Sequence, residues 1–274
     1  MQHIIIGAVI TILCLPFSVQ ALTLEGNLIQ GGMVIGKADP AATVHFQGKP
    51  VRTSPEGLFV IGFSRDAELE SVIELHQPSG TGEKHPVRIK KRTYQIQRID
   101  GLPPRKVSPS PEDLERIRKE NTRVKKVRKK DEPRTDFTQT FIWPVIGRIS
   151  GVYGSQRILN GKPRRPHYGV DIAAPTGTPI KAPADGVVSL AHNDMFFSGG
   201  TLIVDHGHGL STSYLHLHKI LVKEGQRVKQ GDVIAQVGAT GRVTGPHLHW
   251  GMNWFDIRLD PSLVVPPMPK AKAQ

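Results

Sequence analysis

The sequence predicts a mainly β chain in two globular parts joined by a basic helix. Three observations predict it. The 274 residues carry 28 Gly and 22 Pro, a turn-rich composition with little room for long helices. Short β-patterned runs recur at close spacing before residue 104 and again after residue 141. Between them lies one strongly charged stretch with helical periodicity. A hydrophobic fraction of 38% and a charged fraction of 22% are those of a globular protein with a sizeable core, and the length favours two domains over one.

The chain begins with an uncharged apolar run, Ile4 to Phe17, followed by Ser18-Val19-Gln20-Ala21. Its length falls short of the roughly 20 residues that span a bilayer, which favours an export signal over a membrane anchor or a buried strand. The expectation is a signal peptide over 1–21, cleaved after Ala21, although Met1-Gln2-His3 lacks the usual Lys or Arg. The one cysteine, Cys14, lies in this run after Leu13, where a lipidation signal would want a small residue. The exported chain would hold no cysteine, which excludes disulfide frameworks, Cys-ligated zinc and thiol catalysis. A periplasmic or cell-wall location in a bacterium follows as the expectation.

Residues 22–104 read as a small antiparallel β-sandwich-like accessory domain. Leu28-Ile29, Met33 to Ile35, Thr43 to Phe46, Leu58 to Ile61, Val72 to Leu75 and Val87 to Ile89 alternate with turns such as Gln47-Gly48-Lys49-Pro50 and Ser54-Pro55-Glu56-Gly57. His45, His76 and His85 are scattered and form no catalytic constellation.

Residues 105–140 are expected to form a basic helical linker. Ser110-Pro111 with Asp113 three residues after the serine is a helix start, because the hydroxyl can accept an orphan amide and proline suits the first turn. Leu114, Ile117, Val124 and Val127 make a thin apolar stripe that ends before Pro133. From Arg105 to Arg134 twelve Lys or Arg face six Asp or Glu, a net of +6 out of the chain's +12. Nucleic acid would suit such a charge, but with export as the context the expected partners are anionic envelope polymers or a membrane surface, and no nucleic acid.

From 141 to 262 the pattern is Gly-punctuated β. Phe141 to Val145 leads in. Strand candidates are Val187 to Leu190, Thr201 to Val204, Leu210 to Leu215, Val233 to Val237 and His247 to Met252, with Arg157 to Pro166 as a loop over the site. Residues 263–274 form a Pro/Lys-containing tail. This part holds eight of the 12 histidines. In a strand His247 and His249 project from one face, and so do His167 and Asp171 if that segment is extended. Together they offer imidazoles and a carboxylate for a metal. His206 and His208 also stand two apart, but the flanking Gly207 and Gly209 indicate a hairpin turn; His192 and His218 read as surface residues.

His167-x-x-x-Asp171, Tyr214-Leu215-His216-Leu217 and Gly245-Pro246-His247-Leu248-His249, with the phrase Gly169 to Pro175, resemble the lysostaphin-like, LytM-domain zinc metallopeptidases over about residues 141–262. The resemblance implies an antiparallel β catalytic domain of LytM/lysostaphin type. It implies zinc held by His167, Asp171 and His249, a water as nucleophile, and His216 and His247 as proton-transfer residues. The implied substrate is the peptide cross-link of bacterial peptidoglycan, reached through its stem peptides. Two other readings stand beside this endopeptidase. LytM-like domains that have lost ligands act as non-enzymatic activators of other wall hydrolases, but this sequence keeps all five residues. The stretch Glu224 to Ile234 looks like a turn of a lipoyl or biotin carrier, but displays no convincing modifiable lysine.

Overall fold

The computed structural model describes residues 22–269. The expected signal segment with Cys14 and the end of the tail, 270–274, lie outside the described residues. The described chain is mainly β, and its strands run antiparallel with one exception noted below.

Seven strands form two antiparallel sheets near the N-terminus. Thr23–Gly26, Met33–Lys37 and Leu58–Gly62 make the first; Lys49–Val51, Thr43–Phe46, Glu70–His76 and Gly82–Arg88 make the second. Alternation explains the packing. In Thr43–Phe46, Val44 and Phe46 are buried while Thr43 and His45 turn outward, and they share a core with Val34, Phe59, Ile61, Ile73 and Leu75. Leu28-Ile29, expected as a strand, contributes only the single bridge Ile29 to Lys90, and part of the expected turn at Gln47 to Pro50 is strand.

This core does not stop at the linker. Phe137, Phe141, Leu210, Met252, Trp254 and Leu259 belong to the same buried cluster. Arg92 bonds the nearly inaccessible Asp260 at 2.8 Å, and Asn27 Nδ2 donates to the Leu263 carbonyl at 2.7 Å. The N-terminal sheets are therefore cemented to the end of the chain by apolar burial and an ion pair.

The helix Pro111–Arg128 starts as expected: Ser110 Oγ accepts from the Asp113 amide at 3.2 Å while the Asp113 carboxylate accepts from the Ser110 amide at 3.4 Å. Val124 and Val127 pack on Leu190, Met195 and Ile203, and Ile117 is buried, whereas Leu114 is 42% exposed. The stripe thus docks the helix on the following domain, leaving Arg118, Lys125, Lys126, Lys129 and Lys130 outward.

An antiparallel sheet carries the C-terminal part, in the order Arg227–Val228, Gly186–Met195, Gly199–Asp205, Leu210–Leu217, His247–Trp254, Val170–Ala173, Arg148–Gly151, with Ile257–Leu259 also paired to His247–Trp254. A smaller sheet of Pro179–Lys181, Val233–Gln236 and Lys219–Ile220 covers it. Ile172, Leu202, Val204, Tyr214, Leu248 and Trp250 fill the core with Ile180, Ile234 and Val237.

The segment Arg157 to Pro166 is not a plain loop. Gln156–Leu159 and Lys162–Pro163 pair as a hairpin, and Gln156–Leu159 also pairs in parallel with Ile96–Ile99. Asn160 closes the junction: its side chain donates to the Leu102 carbonyl at 2.7 Å and accepts from the Leu102 amide at 3.1 Å. Residues 96–102 thus join the hairpin at 156–163, across the boundary expected at 104.

Candidate metal centre

Strand register assembles the site. Asp171 stands opposite His249 and Ala173 opposite His247 in adjacent antiparallel strands. Because side chains alternate, Asp171, His247 and His249 share one face while Ile172, Leu248 and Trp250 enter the core on the other. Opposite Asp171 the edge strand Arg148–Gly151 holds an extra residue, and such a bulge re-aims the neighbouring side chains.

His167 precedes its strand and is fixed by its ring. Its Nδ1 donates to the Val152 carbonyl at 3.1 Å, which assigns the proton to Nδ1 and leaves the Nε2 lone pair facing inward. That nitrogen lies 2.9 Å from Asp171 Oδ1 and 2.9 Å from His249 Nδ1, and the last two atoms are 2.8 Å apart. Two close glycines make this convergence feasible. A Cβ on Gly169 would lie 2.7 Å from the His249 ring, and one on Gly151 would lie 2.5 Å from Asp171 Oδ2.

Three donor atoms aimed at one point can share only protons among themselves. A cation satisfies all three. Among the described residues this is the one His/Cys/Asp/Glu group able to hold a metal. Burial alone would raise the Asp171 carboxyl, but its contacts with the His167 and His249 rings hold it well below the usual carboxylate range. Burial lowers His249 to about 4, against the opposing pull of Asp171, so its ring is neutral and able to ligate near pH 7.

His247 and His216 flank the group without joining it. His247 Nδ1 donates to the Gly245 carbonyl at 2.9 Å, which turns Nε2 toward the group, 3.8 Å from Asp171 Oδ1. His216 Nδ1 donates to the Thr240 carbonyl at 2.8 Å, and its ring centroid is 4.9 Å from that of His247 and 6.3 Å from that of His249. Its backbone has φ of 66°, a left-handed conformation that a non-glycine side chain adopts at a cost of about 1–3 kcal/mol and that concentrates at functional sites. Burial, then the neighbouring His247 and His249, lower its ring to about 3.

Residues 165–261 match the model of peptidase family M23. A crystal structure from Pseudomonas aeruginosa assigned to peptidase M23 aligns with a TM-score of 0.69 and 32% identity, covering 87% of this chain and 95% of that one. The chain belongs to peptidase family M23. Among curated M23-like relatives, the Vibrio cholerae peptidoglycan DD-endopeptidase ShyA is 46% identical over 104 residues, 38% of this chain and 24% of ShyA. The Neisseria meningitidis DD-carboxypeptidase/endopeptidase Mpg is 38% identical over 126 residues, 46% of this chain and 29% of Mpg. This M23 chain therefore spans about a quarter of the length of these curated relatives.

In this M23 chain the five residues singled out in the sequence, His167, Asp171, His216, His247 and His249, meet in one site. Among the described residues, the remaining histidines do not enter it. His206 sits in the turn after Asp205, with Nδ1 donating to the Asp185 carbonyl at 2.6 Å and Nε2 2.8 Å from the Thr212 hydroxyl, a satisfied core histidine. Tyr153 is buried, and its hydroxyl donates to the Arg258 carbonyl at 2.8 Å. It is a packing residue, held there by its hydrogen bond.

Sequence reasoning missed Arg157, whose guanidinium bonds Asp171 Oδ2 at 2.7 Å. The signal was present as a charged residue in the segment placed over the site. Its partner could be known only once the hairpin was built. The acceptors at Val152, Thr240 and Gly245 are backbone carbonyls, which no side-chain motif announces.

Proposed function

We propose that this chain is a zinc-dependent endopeptidase that hydrolyses peptide cross-links of bacterial peptidoglycan. The observation that carries the reading is the convergence of His167 Nε2, Asp171 Oδ1 and His249 Nδ1 beside two further imidazoles whose Nε2 atoms are free to handle a proton. Two nitrogens and one carboxylate are a ligand set of catalytic zinc sites, which keep a position open. The substrate class rests on the names of ShyA and Mpg.

When bound, zinc supplies Lewis-acid activation of water and of the scissile carbonyl. The protein supplies the proton path. His247, locked by Gly245 with its Nε2 lone pair toward the metal ligands, takes the proton from the attacking water. The imidazolium so formed returns that proton to the leaving amine, while His216, held from two sides by Ser198 and Thr240, offers its Nε2 beside His247 as a second acceptor for the water. Neutral rings at both positions are the protonation state this exchange requires.

The same proposal places the chain outside the cytoplasm, with a signal at 1–21, an accessory domain, the helical linker and the peptidase domain in that order. The outward row Arg118, Lys125, Lys126, Lys129 and Lys130 is offered to anionic envelope polymers or a membrane surface.

Purified sacculi are the test. His249→Ala should lose zinc and hydrolysis together, whereas His247→Ala should keep near-stoichiometric zinc and lose hydrolysis by about 100-fold or more. Fragment mass spectrometry would name the bond. Equal digestion by wild type and His249→Ala would reject the mechanism. No digestion by zinc-loaded protein, with stimulation of a separate wall hydrolase, would favour a non-enzymatic regulator.

A further inference from the structure

Asp171 presents two oxygens to two different surroundings. Oδ1 faces His167 Nε2 and His249 Nδ1, at 2.9 and 2.8 Å. Oδ2 lies against the backbone of Gly151, so close that a Cβ there would be 2.5 Å away, and receives the Arg157 guanidinium at 2.7 Å. Among the described residues no other side chain hydrogen-bonds that oxygen.

The hairpin that carries Arg157 is anchored from outside the family match at residues 165–261. Gln156–Leu159 pairs in parallel with Ile96–Ile99, the Gln97 side chain accepts from Arg157 Nε at 3.4 Å, and Asn160 ties the turn to Leu102. The arginine is therefore placed by backbone pairing and only one-fifth exposed. A charge-assisted bond to the outer oxygen fixes the rotation of the carboxylate and leaves the inner oxygen as the single donor to a metal. Without it a buried carboxylate oxygen would lack a partner, and the side chain would turn to find one.

Resting on the zinc reading above, we infer that Arg157 is a positioning residue of the metal centre, which holds Asp171 in one-oxygen geometry and thereby sets metal affinity. The opposing effect is repulsion between the guanidinium and a bound cation. The arginine bonds the oxygen that points away from the metal point, so orientation outweighs repulsion.

The test is zinc affinity of the full chain, measured by competition with a chromophoric chelator, alongside kcat and KM on a soluble cross-linked peptide. Arg157→Met is expected to weaken zinc binding by about 10–100-fold. Arg157→Lys, which keeps the charge but not the planar fork, should fall between it and wild type, and it serves as the test if the methionine variant fails to fold. Arg164→Met is the control: Arg164 sits on the same hairpin and bonds the Val107 carbonyl at 2.8 Å without reaching Asp171, so its zinc affinity should stay within about twofold of wild type. At saturating zinc, KM for Arg157→Met should be retained and kcat reduced. Unchanged or tighter zinc binding in Arg157→Met overturns the inference, and so does equal weakening in Arg164→Met, which would assign the effect to hairpin docking. Wild type that binds no zinc would sink the zinc reading itself, a separate failure.

Discussion

At the scale of single residues, the site depends on where a proton or a methyl group is absent. Gly169 leaves room for the His249 ring, and a Cβ 2.7 Å from it would have to push that ring aside. Gly169→Ala is expected to lower zinc affinity by about tenfold or more while the chain still folds, read by chelator competition. His206 shows the opposite use of an imidazole. Both ring nitrogens are satisfied in the neutral form, and burial lowers its pKa to about 4 from an ordinary 6.5. The unfolded chain takes up this proton below about pH 6.5 and the folded chain only below about pH 4, so the stability it confers is full above the first value and drains away as pH falls toward the second. Over the whole interval that is about 3 kcal/mol. The stability gap between wild type and His206→Gln should therefore narrow from pH 7 to pH 4 in urea unfolding; a gap that widens on acidification contradicts the assignment.

At the scale of elements, the strands of the site were legible and the hairpin was not. His247 and His249 two apart, with apolar Leu248 between, state a strand face directly, and the register of Val170–Ala173 against His247–Trp254 follows from burying Ile172 and Leu248 together. The segment Arg157 to Pro166 has Gly161, Pro163 and Pro166 and no apolar alternation, so nothing local marks it as paired. Its partner, Ile96–Ile99, lies 60 residues upstream in register, Arg157 against Gln97, and parallel pairing at that distance leaves no turn signal between the two. The helix was legible from its capping residues because the bonds are local. Ser110→Ala removes the hydroxyl that accepts from Asp113 and should cost about 1 kcal/mol in denaturant unfolding. No change would mean the Arg105–Asp113 ion pair and buried Ile117 hold the first turn without the cap.

At the scale of the whole molecule, composition conveyed a mainly β chain but not that its two β parts share a core. Phe46 and Phe63 pack 5.6 Å apart, and Phe46 lies 6.1 Å from Trp254, so a side chain near each end of the described chain fills the same interior. Such contacts are long-range and apolar, and residue patterns read along the chain carry no label for the partner they bury against. One cooperative calorimetric transition is the expected behaviour, with Trp254→Ala lowering stability by about 3–5 kcal/mol for both parts together. Two separated transitions would show that the sheets near the N-terminus fold on their own.

In the proposed mechanism one strand, His247–Trp254, supplies a metal ligand and a proton carrier two residues apart. The most direct measurement is zinc content and sacculus digestion on the same preparations of wild type, His247→Ala and His249→Ala. Expected are about one zinc per chain and release of peptide fragments for wild type, zinc without release for His247→Ala, and neither for His249→Ala. Zinc retained by His249→Ala, or fragments released at the wild-type rate by His247→Ala, would contradict the mechanism.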